Sequence, residues 1–110
     1  MLSIIVPVYD EENTIERILS KIESLPFEKE VIVVDDGSTD GTRRVIEDVS
    51  KGQRNIKVII HDINRGKGAA VRSGLGVVSG NRVVIQDADL EYDPSDHMLL
   101  LKEMDRTGSP

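Results

Sequence analysis

Cysteine is absent from the 110 residues. That excludes disulfides, thiolate metal sites and a cysteine nucleophile, and it is compatible with a reducing compartment. Aromatic residues number three and the formal net charge is -6. Neither fits a base-stacking platform or a basic groove, so a nucleic-acid partner is not expected. No apolar run approaches the ~20 residues of a membrane span. Met1 leads straight into strand-like residues with no signal peptide, which predicts a cytoplasmic location. With 38% hydrophobic and 31% charged residues, the composition is that of one small globular domain over residues 1–110. An acidic protein that handles phosphates needs a local device, such as a bound cation.

Glycine is missing where a dinucleotide-binding protein needs it. The loop after the first apolar run reads VYDEEN, not G-x-G-x-x-G. Gly66-Lys67-Gly68 comes much later, and no Ser or Thr follows Lys67 as a Walker A motif requires. Clean polar alternation is also missing from the four β-branched runs Ser3–Val8, Glu30–Val34, Ile56–Ile60 and Arg82–Gln86. Strands of that kind have both faces covered. Helical spacing lies between them: Ile15, Ile18, Leu19, Ile22 and Leu25; then Val45, Ile46 and Val49, with Asp40 or Thr39 as cap; then Ala69 to Val78. Asp93-Pro94 is a helix start, with Met98, Leu99, Leu101 and Met104 as its apolar stripe. The alternation predicts an α/β domain of three layers around a mainly parallel, Rossmann-like sheet.

In such a sheet ligands bind beyond the carboxyl ends of the strands. Three polar clusters converge there: Pro7 to Glu11, Asp35 to Ser38, and Asp87-Ala88-Asp89. Carboxylates two residues apart on an extended segment point to one side. Asp87 and Asp89 therefore suit a hard divalent cation such as Mg²⁺ or Mn²⁺, with Glu91 as a third oxygen donor. Capping of the following turn explains the same acids, and Asp93 reads as a cap. Asp35 and Asp36 can accept from a nucleobase N–H or a ribose hydroxyl, or simply belong to the turn-forming run DDGSTDG. Tyr9 offers a ring for a base to stack on, or is a half-buried loop aromatic. Lys67, with Arg65 and Arg72 nearby, stands at a helix entry suited to a diphosphate; a solvated face serves Arg72 equally well. His61 and His97 show no partner spacing and read as structural. One rival pattern is a calcium loop: Asp36-x-Ser38-x-Asp40-Gly41 followed by Glu47. Its context is wrong, because strand-like VIVV precedes it where a helix belongs, and Arg43 sits where an apolar plug is usual.

Taken in order and spacing, IVPVYDEENTI, VVDDGSTDGT, NRGKGAAVRSG and VVIQDADLEYDP closely resemble the family 2 glycosyltransferases. Among these they look most like the polyprenyl-phosphate (dolichyl-phosphate type) mannosyl- and glucosyltransferases. The resemblance covers residues 2 to about 100. It implies a truncated GT-A fold, the donor-binding N-terminal part of a nucleotide-diphospho-sugar transferase, with a chain about twice this length in the family. Carried over by position, Pro7, Tyr9 and Glu11 look like the nucleotide-contacting loop. Asp36 resembles the base-binding Asp, with Val34 and Asp35 beside it, and Lys67 joins the nucleotide-sugar site. Asp87-Ala88-Asp89 resembles the metal-binding D-x-D motif, with Asp89 the main ligand and catalytic residue and Asp87 also facing the sugar nucleotide. Glu91 stands where relatives often carry Gln. The implied reaction is inverting transfer of a hexose, of the GDP-mannose or UDP-glucose type, to a polyprenyl phosphate, with Mg²⁺ or Mn²⁺. The full-length protein is then expected at the cytoplasmic face of a membrane. The 110 residues alone are expected to bind nucleotide without turnover, and to leave apolar surface that favours homo-oligomers. A nucleotidyltransferase of similar sheet would carry a Gly-rich basic loop after its first strand, which VYDEEN is not. A nucleotide- or calcium-binding module without catalysis is the remaining alternative.

Overall fold

A computed structural model describes residues 1–87 and 103–105, the latter as backbone alone. The strands are β1 (Leu2–Val8), β2 (Lys29–Asp36), β3 (Ile56–His61), β4 (Arg82–Ile85) and β5 (Glu103–Asp105). The helices are α1 (Ile15–Glu23), α2 (Thr42–Ser50) and α3 (Lys67–Leu75). The sheet order is β3-β2-β1-β4-β5. The first four strands pair in parallel, and β5 runs antiparallel to β4.

This order dictates which face each helix covers. From β1 the chain steps outward to β2 and β3, so the right-handed crossovers put α1 and α2 on one face. It then returns past β1 to β4, and the same handedness puts α3 on the other. The two core clusters follow. Ile4, Val6, Val8, Val31, Val33 and Val84 pack with Ile15, Ile18, Leu19, Ile22 and Ile46 of α1 and α2. Ile5, Ile32, Val34 and Val83 pack with Ala70 of α3 and with Val78. Alternation along each strand sends neighbours to opposite layers, and both layers are apolar, so no polar period appears in the sequence. Gly74 lets α3 sit close, since a Cβ there would lie 2.8 Å from Ile5 Cγ2.

Several assignments differ from the sequence reading; β1, β3 and β4 each shift by one residue at one end, and the larger differences have local causes. β2 continues through Asp35 and Asp36, because pairing with Val8 of β1 and with Ile60 and His61 of β3 outweighs their turn preference. α3 begins at Lys67, not Ala69, and ends before Val77 and Val78. Gly66, at φ +96°, makes the break before it. Asp40 accepts from the Thr42 amide at 2.9 Å, although the residue flanking α2 is Gly41. Met104 lies in β5, opposite Val83, rather than on a helix. The helix expected from Asp93-Pro94 lies outside the described residues, as do Met98, Leu99 and Leu101.

Candidate active site

Strand order reverses between β1 and β4, so the crevice at their carboxyl ends is where an open α/β sheet binds its ligand. A cleft of about 190 Å³ opens there. Pro7, Val8, Tyr9 and Glu11 line it from the end of β1, Asp36 from β2, and Asn64, Gly66, Lys67 and Ala70 from the entry to α3.

Alternation decides which acid reaches it. Asp35 follows Val31 and Val33 toward α2, where it is fully buried and accepts from the Ser38 amide at 3.1 Å and Arg43 Nε at 3.4 Å. Asp36 follows Ile32 and Val34 toward α3. Val34 itself is fully buried in that apolar layer and does not line the cleft. Asp36 is 3% exposed. Its Oδ1 accepts from the Arg65 amide and His61 Nδ1, and its Oδ2 from the Gly66 amide, each at 2.9 Å. Burial pushes the Asp36 carboxyl upward. The hydrogen bonds from His61 and the two amides outweigh it and hold the group below its ordinary range. Each carboxylate oxygen has two acceptor positions, so among the described residues Oδ2 keeps one open.

The loops brace one another. Asp10, at φ +50°, donates its amide to Ser38 Oγ at 2.9 Å and accepts from the Thr39 amide at 2.7 Å. The Glu11 amide donates to Thr42 Oγ1 at 2.8 Å, and Glu11 Oε2 accepts from the Thr14 hydroxyl at 3.1 Å. The Asp40 carboxyl is likewise held low: burial opposes ionisation, but the Thr42 hydroxyl and amide and the Glu12 amide prevail. Tyr9, 45% exposed, leaves a ring open at the cleft. At the end of β4, half-buried Asp87 forms an ion pair with Lys67 Nζ.

Of the residues singled out from sequence, the structure thus gathers Pro7, Tyr9, Glu11, Asp36 and Lys67 around one cleft, with Asp87 against Lys67. Ala88, Asp89, Glu91 and His97 lie outside the described residues. Arg72 is exposed on α3. His61 went unrecognised as a partner of the site. The signal for it is register: extending β2 and β3 by one or two residues sets His61 directly opposite Asp36. Among the described residues no three His, Asp or Glu side chains gather to hold a metal, and Asp36, the first position of the calcium-loop pattern, ends a strand rather than following a helix. Carboxylate oxygens such as those of Asp87 are nonetheless the donors that Mg²⁺ or Mn²⁺ prefers.

The family model for glycosyl transferase family 2 matches residues 3–109. The chain belongs to that family. A dodecaprenyl-phosphate galacturonate synthase of Rhizobium johnstonii is 32% identical over 110 residues, covering 96% of this chain and 32% of that one. A mannosyltransferase of Pyrobaculum calidifontis, solved with GDP-Man and Mn²⁺, is 33% identical with a TM-score of 0.75, over 80% of this chain and 27% of that one. S. aureus TarS, solved with UDP-GlcNAc, is 34% identical with a TM-score of 0.73, over 80% and 26%. These neighbours are glycosyltransferases of the GT-A fold, and this chain shares that architecture over a truncated domain. It spans about three tenths of the length of the curated relatives it matches, so those are about three times as long rather than twice. No helix among the described residues is long and apolar enough to cross a membrane.

Proposed function

We propose that this family 2 glycosyltransferase chain is a donor-binding domain for a nucleoside-diphosphate hexose, of the GDP-mannose or UDP-glucose type. We propose further that the whole protein transfers the sugar, with inversion, to a polyprenyl phosphate. The carrying observation is the cleft at the switch point, where an aromatic ring, a fixed carboxylate and a lysine meet an acid at the end of β4. Supporting it, relatives 32–33% identical bear names of polyprenyl-phosphate sugar transferases, and solved neighbours hold GDP-Man with Mn²⁺ or UDP-GlcNAc.

Each group has a distinct part. The open position on Asp36 Oδ2 accepts an N–H of the base or a ribose hydroxyl. Tyr9 stacks on the base, Pro7 and Glu11 shape the wall, and Lys67 meets the diphosphate. Asp87, with Asp89 and Glu91 further along the chain, would hold Mg²⁺ or Mn²⁺. A divalent ion there supplies charge that stabilises the departing diphosphate. An acceptor phosphate is already ionised and needs little general-base help.

Titration calorimetry with UDP and with GDP, each with and without Mn²⁺, tests this. Metal-dependent binding of one nucleotide in the micromolar to millimolar range, weakened about tenfold or more in Asp89→Ala, is expected. Metal-independent binding, or none, refutes the donor reading. Calcium binding lost on Glu47→Ala would favour the non-catalytic alternative. Sugar transfer to a lipid phosphate by the 110-residue chain would show that it is sufficient for turnover, contrary to expectation.

A further inference from the structure

His61 is the last residue of β3 and is 7% exposed, yet both ring nitrogens are engaged. Nδ1 lies 2.9 Å from Asp36 Oδ1, and Nε2 lies 2.8 Å from Ser73 Oγ on α3. Asp36 is an ionised acceptor, so Nδ1 carries the hydrogen. The Ser73 hydroxyl, which can donate or accept, completes the pairing at Nε2. A serine, a histidine and an aspartate in line resemble a hydrolytic triad. Ser73, however, lies within α3 and does not line the cleft, so nothing is placed for it to attack.

We propose that His61 is a positioning residue of the donor cleft. It occupies Asp36 Oδ1, fixes the carboxylate plane, and leaves the free acceptor of Oδ2 for the donor, while Asp36 in turn holds the loop that delivers Lys67. The chain of contacts is continuous. Ser73 on α3 orients the ring, the ring orients Asp36, and Asp36 binds the Arg65 and Gly66 amides. The residue after Gly66 is Lys67, whose ammonium reaches Asp87. Without the imidazole, Oδ1 keeps one amide, the carboxylate can turn about its Cβ–Cγ bond, and the loop loses its fixed anchor. A buried hydrogen bond to an ionised carboxylate is stronger than one between neutral groups, and here it opposes that rotation.

This rests on the donor reading for its use, but the loop geometry can be tested without a ligand. The variants are His61→Leu, His61→Asn and His61→Gln. The Asn amide nitrogen stands as many bonds from the backbone as Nδ1 and can donate to Asp36. The Gln amide reaches toward Ser73 instead. Amide hydrogen exchange, read by NMR, should show Arg65 and Gly66 protected in the wild type and exchanging at least about tenfold faster in His61→Leu, with β1 and β2 unchanged. Asn should restore protection to within about threefold and Gln should not. Affinity for whichever of UDP and GDP the wild type binds with Mn²⁺ should fall about tenfold in His61→Leu and recover in Asn. Should His61→Leu fail to fold, the Asn and Gln variants decide alone. Unchanged exchange in His61→Leu, equal rescue by Asn and Gln, or nucleotide binding unaffected by the Leu variant overturns the proposal. If the wild type binds neither nucleotide, the donor reading falls, and the exchange pattern still decides the part played by His61.

Discussion

Glu30 gives the sharpest stability test, at the end of the sheet opposite the cleft. It is the second residue of β2 and is 5% exposed. Oε2 accepts from the Ser3 hydroxyl, the Ser79 amide and the Gly80 amide, and Oε1 meets Lys57 Nζ at 3.0 Å. These donors come from β1, β3 and the loop between α3 and β4, so one carboxylate ties together segments up to 50 residues apart. Burial alone would raise its pKa. The hydroxyl, the amides and the ammonium together pull it from the ordinary 4.5 down to about 2. That depression corresponds to about 3 kcal/mol, a large share of a domain's usual margin. Because the folded pKa lies below the unfolded one, that stability is present above about pH 4.5 and is lost as pH falls through about 2. Glu30→Gln keeps the shape but turns an NH₂ toward the donors. It should cost about 2–3 kcal/mol at pH 7, or a fall of about 1–2 M in the urea midpoint by far-ultraviolet circular dichroism. The variant should also lose less stability than the wild type between pH 5 and pH 2. Lys57→Met should cost no more than about 1 kcal/mol, since Lys57 is 42% exposed and the other donors remain. A Glu30→Gln cost below about 1 kcal/mol, or an acid limb as deep as that of the wild type, would refute the reasoning.

Two further perturbations act at the cleft end. Gly37, at φ +75°, lies where a Cβ would stand 2.5 Å from the Asn64 amide nitrogen, so Gly37→Ala combines backbone strain with an overlap. It should destabilise by about 2–4 kcal/mol in urea titration and weaken nucleotide binding, and a neutral outcome would mean that the two loops are not in contact. Lys67→Met frees Asp87 of its counter-ion. Both partners are more than a third exposed, so the pair is weak, and Mn²⁺ affinity without nucleotide should rise only about two- to fivefold while nucleoside-diphosphate affinity falls. Unchanged or weaker Mn²⁺ binding, followed by the water-proton relaxation of the bound ion, would show that Lys67 does not compete with the metal.

The β-α alternation and the edge on which the polar residues gather were both legible, because each follows from the order of apolar runs and from sheet chirality. The distribution of acids between layers was not. DDGSTDG reads as a turn because every residue in it favours one locally. Pairing on both sides draws Asp35 and Asp36 into β2, and two-residue alternation then sends one to α2 and the other to α3. His61 had no local signature, since its partners lie 25 and 12 residues away and meet it only through register and helix packing. The start of α3 was displaced because Gly66 and Gly68 are poor helix formers, yet the first turn leaves its amides unpaired in any helix and tolerates a glycine there. Met104 fits a helical stripe and a strand equally well over three residues, and its pairing with β4 is a long-range fact.

The three acids Glu30, Asp36 and Asp87 differ in how completely the fold satisfies them. Glu30 accepts from four donors, three of them crowded on Oε2, as many as a carboxylate has acceptor positions in all. Asp36 accepts from three and keeps one position open. Asp87 meets the half-exposed ammonium of Lys67. A buried carboxylate with spare acceptor capacity is costly, so a fold retains one only where surrounding donors fix the rest of the group. The surplus capacity lies at the carboxyl ends of the strands, beside the crevice where strand order reverses. Binding there can complete what the chain leaves incomplete, whereas at Glu30 any ligand would have to displace bonds already made. Saturation of the acids therefore separates the end of the sheet that holds the fold together from the end proposed to hold the donor. It does so by counting hydrogen bonds in this chain alone.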